Sequence, residues 1–173
     1  GYKGPIFATP ATVELAKLIL EDAFSVMTDN YFRYGTPVLY NEDDVVATIR
    51  QFKSVDYHLE TPCCDGGYAG FMFYDAGHIF GSAFLEIKID GKKIVFSGDV
   101  GNTDVPILRE TEQLPDNVDL VVCESTYGGR THEVRTNEHR AEVIEGTITQ
   151  ALGRGGTLMI PSFALERTQE LLY

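Results

Sequence analysis

The stretch from Gly70 to Phe96 constrains this chain more than any other. Ser82 to Ile89 alternates, with Ala83, Leu85, Ile87 and Ile89 on one side, as a strand with one buried face requires. Asp90-Gly91 follows, a two-residue turn suited to a hairpin, and Lys93-Ile94-Val95-Phe96 returns. Phe71-Met72-Phe73-Tyr74, short and aromatic between turn residues, precedes them as a further strand. A sheet of this kind needs a covering layer, and the flanking sequence supplies helices. Thr9-Pro10 is a cap followed by proline at the first helical position, and Ala11, Leu15, Leu18 and Ile19 share a face, which predicts a helix over 10–27. Asn41 followed by Glu42, Asp43 and Asp44 predicts a second helix over 42–50, where the acids answer the helix dipole and are not ligands.

The C-terminal part reads strand, helix, strand, helix. Val118 to Cys123 and Gly156 to Ile160 are expected as buried strands. Thr136 or Asn137 caps a helix carrying Ala141, Ile144, Ile148 and Ala151 on one face and ending at Gly153. Pro161-Ser162 turns into a last helix. The expected class is a layered α/β fold.

Composition narrows the function classes. The 173 residues are 43% hydrophobic, enough for a core, which excludes a disordered tail. Lys plus Arg is 14 and Asp plus Glu is 26, so the net charge is 14 − 26 = −12, without the basic field of a free-standing nucleic-acid binder. Cys63, Cys64 and Cys123 form no disulfide framework and suit a reducing compartment. Cys123 is expected as a small core residue, and His58 and His139 as surface or helix residues. No apolar run has the length of a membrane span, and no basic-then-apolar leader opens the chain. The chain begins at Gly1 and stops at Leu171-Leu172-Tyr173 within a helix, which reads as a piece of a longer protein.

Three polar residues follow apolar strands, where α/β proteins build their sites. They are His78 in Ala76-Gly77-His78-Ile79-Phe80-Gly81-Ser82, Asp99 in Phe96-Ser97-Gly98-Asp99, and Glu124 in Glu124-Ser125-Thr126-Tyr127-Gly128. Imidazole and carboxylate are zinc-type ligands. On spacing alone a second reading stands equally: hydrogen-bonded turn residues.

These strings, with Ile160-Pro161-Ser162-Phe163-Ala164-Leu165-Glu166-Arg167-Thr168-Gln169-Glu170 and with Phe7-Ala8-Thr9-Pro10-Ala11-Thr12, resemble the β-CASP branch of the metallo-β-lactamase fold. That branch comprises RNA-processing nucleases, including the pre-mRNA 3′-end cleavage endonuclease and its bacterial and archaeal relatives. The resemblance implies that residues 1–160 are part of a metallo-β-lactamase αββα sandwich and that 161–173 begin the β-CASP region. It implies that His78 is a zinc ligand, that Asp99 bridges two zincs, and that Glu124 orients a histidine acting on the leaving group. It implies that Ser162 and Phe163 lie at the substrate-binding junction. No role is assigned to His132.

Of the family's zinc ligands this chain carries two, His78 and Asp99, so it is expected to be inactive alone. The complete protein is expected to cleave RNA with two Zn²⁺ ions, in the cytoplasm, or the nucleus if eukaryotic. Its expected assembly is a homodimer or a processing complex, with no membrane. Two readings compete: a small-molecule hydrolase of the same fold, such as a thioesterase or lactonase, and a metal-free scaffold subunit. Ser162 is also expected to cap the last helix, turning its free N–H groups toward an RNA phosphate.

Overall fold

A computed structural model describes residues 1–64, 66–101, 103–131 and 136–173. His132 lies outside the described residues.

The chain opens with β1 (Ile6–Ala8), which pairs in parallel with β2 (Phe52–Ser54). Between them run α1 (Pro10–Tyr34) and α2 (Glu42–Gln51). Thr9 caps α1 as expected, but the helix extends well past residue 27. Its stop signal is Gly35, left-handed at φ 70°, whose N–H donates to the Tyr31 carbonyl. The fading apolar stripe after residue 27 does not end a helix that keeps its hydrogen bonds.

The main sheet has the order β3-β4-β5-β6-β7, formed by β3 (Thr61–Pro62), β4 (Ala69–Asp75), β5 (Ala83–Ile89), β6 (Lys92–Phe96) and β7 (Leu120–Val122). Neighbours are antiparallel except β6 and β7, which are parallel. Asp90 (φ 48°) and Gly91 (φ 73°) make the β5–β6 turn, both in the left-handed region, which matches the strands' twist. Two helices complete the chain, α3 (Asn137–Gly153), capped by the Thr136 hydroxyl, and α4 (Arg167–Leu172). Helices with a mixed sheet make the architecture α/β, the expected class. No described helix is long and apolar enough to cross a membrane.

Packing corrects four expectations. The deepest core, Ala76, Phe84 and Val95, lies on the side of β5 opposite Leu85 and Ile87, where Tyr74 and Val118 cover it. Glu86 shares that side and is 2% exposed, with Oε1 3.6 Å from Lys88 Nζ and no hydrogen-bond partner for Oε2 among the described residues. The other face meets Phe7, whose ring lies 5.1 Å from Phe71. Strand β7 is shorter than expected, with β6 on one edge and, among the described residues, no strand on the other; its side chains and Cys123 are exposed. Residues 156–160 form no strand, and Met159 is 85% exposed. An apolar run becomes a strand only when another strand accepts its hydrogen bonds, and among the described residues none does. Finally, Ser162 does not cap α4. That helix starts at Arg167, with Glu166 at the cap position and no side-chain cap bond. The Thr168 hydroxyl and the Gln169 amide instead donate to the carbonyls of Phe163 and Ala164, holding a turn between Ser162 and the helix.

Candidate active site

The strand directions place the three motif residues together. β4 and β6 run the same way because both are antiparallel to β5, and β7 is parallel to β6. The loops after β4, β6 and β7 therefore leave the same sheet edge, and they carry His78, Asp99 and Glu124.

The His78 loop is held by short polar side chains. Asp75 Oδ1 accepts from the Gly77 N–H at 2.9 Å, and Ser82 Oγ accepts from the N–H groups of His78 and Ile79 at 3.0 and 3.2 Å. Gly77 has φ 61°, and a Cβ there would lie 2.6 Å from Thr111 N. Only glycine meets both demands. The Gly81 carbonyl accepts from the hydroxyls of Thr9 (2.7 Å) and Thr12 (2.8 Å). The residue that caps α1 thus also bolts that helix to the His78 loop. Tyr57 donates to the Ser82 carbonyl at 2.9 Å, and burial, aided by the charge of Asp75, pushes its phenol up to about 12, so it remains a donor.

The loops after β6 and β7 are fastened to each other. The Ser97 N–H donates to the Val122 carbonyl (2.9 Å), and Ser97 Oγ accepts from the Glu124 N–H (2.9 Å). Glu124 Oε1 in turn accepts from the Val100 N–H at 2.8 Å, next to Asp99. Hydrogen bonds from the Thr126 hydroxyl and the Val100 N–H hold the Glu124 carboxyl below the usual carboxylate range. It is ionised at neutral pH.

His78 Nε2 lies 4.0 Å from Asp99 Oδ2. This exceeds hydrogen-bond reach and is somewhat wider than two ligands of one tetrahedral zinc, roughly 3.4 Å for bonds near 2.1 Å. The donor types suit zinc, and both side chains face one space. They are a partial set, because among the described residues no group of three or more His, Cys, Asp or Glu could hold an ion.

His78, Asp99 and Glu124 line one cavity of about 730 Å³, together with Phe163. Ser162 is exposed and does not line it. Three further charged residues line it to which the sequence reading gives no role: Arg140, Glu166 and Arg167. Glu166 is buried, and that burial raises its carboxyl above the ordinary range while the Arg167 charge opposes the shift. No spacing pattern links Arg140 to the C-terminal turn, so only the folded chain brings these groups together. The sequence hint for the last two is that Glu166-Arg167 lies within the 160–170 string, whereas Arg140 carries none.

No family model matches the chain. Individual proteins do, along its whole length. It is 37% identical over 175 aligned residues to "Ribonuclease TTHA0252" of Thermus thermophilus, covering 100% of this chain and 37% of that protein. It is 34% identical over 171 residues to "Endoribonuclease YSH1" of Yarrowia lipolytica, covering 99% of this chain and 20% of that protein. It is 33% identical over 171 residues to "Cleavage and polyadenylation specificity factor 73" of Drosophila melanogaster, covering 99% and 24%. The chain therefore spans well under half the length of these relatives. Proteins named as ribonucleases and endoribonucleases match the chain from end to end, consistent with an internal stretch of the β-CASP nucleases that its motif strings resemble.

Proposed function

We propose that the complete protein hydrolyses RNA phosphodiester bonds and that this chain supplies part of its metal centre and leaving-group machinery. The observation that carries the reading is the convergence of His78, Asp99 and Glu124 on one cavity from three loops at one sheet edge. The names of the relatives favour it over a small-molecule hydrolase or a metal-free scaffold.

His78 Nε2 and the Asp99 carboxylate would hold zinc, with the remaining donors contributed from outside these residues. Bound zinc supplies positive charge against the phosphate and lowers the pKa of water. Glu124, kept ionised by Thr126 and Val100, orients a proton-carrying histidine from elsewhere in the complete protein. It does so from a fixed position, because the Ser97 staple ties its backbone to the strand that delivers Asp99. Phe163, on the cavity wall, touches the RNA. Ser162 lies one residue further out, so its contribution is at the entrance. The expected compartment is the cytoplasm, or the nucleus if the source is eukaryotic.

The test uses the complete protein. Asp99→Ala should abolish cleavage of single-stranded RNA and lower bound zinc. Glu124→Gln should reduce kcat by about a hundredfold or more, the range of a mispositioned acid or base, with zinc content unchanged by mass spectrometry. Loss of zinc from Glu124→Gln would refute its assigned role, and full activity in Asp99→Ala would refute the metal centre.

A further inference from the structure

The active-site cavity poses an electrostatic problem. It is lined by three carboxylates, Asp99, Glu124 and Glu166, in a chain of net charge −12. An RNA strand brings one negative charge per nucleotide, and its approach needs local cations. Among the described residues, the only Lys or Arg side chains lining this cavity are Arg140 and Arg167. They come from different elements, Arg140 from the first turn of α3 and Arg167 from the start of α4. Both also line the neighbouring groove of about 800 Å³ between those helices. They therefore stand on the rim shared by the two cavities, where a strand leaving the active site would pass.

Arg167 is aimed. Its Nη1 lies 2.5 Å from Glu170 Oε2 and its Nε lies 3.8 Å from Glu166 Oε2. Glu166 is 5% exposed and adopts φ 68°, a costly backbone for a residue with a Cβ. That strained turn delivers the next residue to the rim. A guanidinium has five N–H donors in a planar fork, so two carboxylate contacts leave donors for a phosphate. Phe163, on the same cavity wall, is 83% exposed, with its ring open to stacking.

We infer that Arg140 and Arg167 form a two-guanidinium clamp for a backbone phosphate flanking the cleaved bond, with Phe163 stacking an adjoining base. Glu166 and Glu170 are positioning residues for Arg167. The inference rests on the nuclease reading and specifies how the strand is held at that site.

The experiment uses the complete protein. Binding of a fluorescent single-stranded RNA is measured across a salt series in an Asp99→Ala background, and kcat and KM are measured with Asp99 intact. Arg140→Ala and Arg167→Ala should each weaken binding about tenfold. Each should also flatten the plot of log affinity against log salt by about 0.7, one single-strand phosphate contact. Both should act on KM more than on kcat. Arg140→Lys should keep the salt slope yet lose affinity, because a lysine keeps charge without the fork. Phe163→Ala should weaken binding with the slope unchanged, since stacking releases no counterions. Glu170→Gln separates orientation from bare charge. Removing an anion beside the strand should tighten binding, whereas losing the hold on Arg167 should weaken it, and weakening is expected.

Folded arginine variants with wild-type affinity and slope would overturn the clamp, and cleavage by the wild type would leave the nuclease reading standing. Tighter binding by Glu170→Gln would overturn the positioning role. A wild type that neither binds nor cleaves RNA would end both readings. Should Arg167→Ala unfold the short α4 turn, Arg140→Ala on the separate helix α3 still decides the matter.

Discussion

At the scale of single residues, Glu124 does two jobs at once. Its backbone N–H closes the bond to Ser97, and its carboxylate closes the bond to Val100. The depressed carboxyl pKa makes the second bond a pH-dependent contribution to stability. A carboxyl with a folded pKa below its unfolded value stabilises the fold above the unfolded pKa, about 4.3. That contribution is lost as pH falls through the folded value. Glu124→Gln should therefore melt below wild type at pH 6, and the gap should close as pH drops toward 3. Thermal melts across that range check it, and equal melting at pH 6 would contradict it. His78, Asp99 and Glu124 were legible because each follows an apolar run in a recognisable string. Glu86 was not legible. Alternation assigned it to the outer side of β5, yet that side carries Phe84 and is the more deeply buried.

At the scale of elements, local chemistry decides where helices start. Asn41 and Asp44 form a reciprocal capping box at α2, each side chain accepting the other's backbone N–H at 3.0 Å. Asn41→Ala should cost about 1 kcal/mol, or roughly 2–4 °C in melting temperature for a chain of this size. A melt unchanged within a degree would mean that the box contributes little. The same kind of signal places Thr9 before α1 and Thr136 before α3. It fails at Ser162, a good capping residue with no helix directly after it, because the carbonyls of Phe163 and Ala164 are taken by Thr168 and Gln169 side chains. It also does not reveal that Thr9 serves a second element by donating to Gly81, a partner 72 residues away.

At the scale of the whole molecule, the donor set limits metal binding. His78 and Asp99 make two ligands, and affinity depends on a complete set held in place. Calorimetry with zinc on this 173-residue chain should show weak binding at that pair. A tight two-zinc stoichiometry lost on His78→Ala would overturn this. What the sequence by itself determined is whatever depends on neighbours within a few residues: the hairpin at Asp90-Gly91, the helix caps, the α/β pattern and the motif strings that mark the family. The tertiary structure decided the rest. It chose which face of β5 is core, since that depends on what segment lies over the sheet. It left 156–160 without a partner strand among the described residues, since a strand exists only through its partner's hydrogen bonds. It also set Arg140, Glu166 and Arg167 beside His78 and Asp99, since a cavity wall is assembled from segments whose separation along the chain carries no periodic signal.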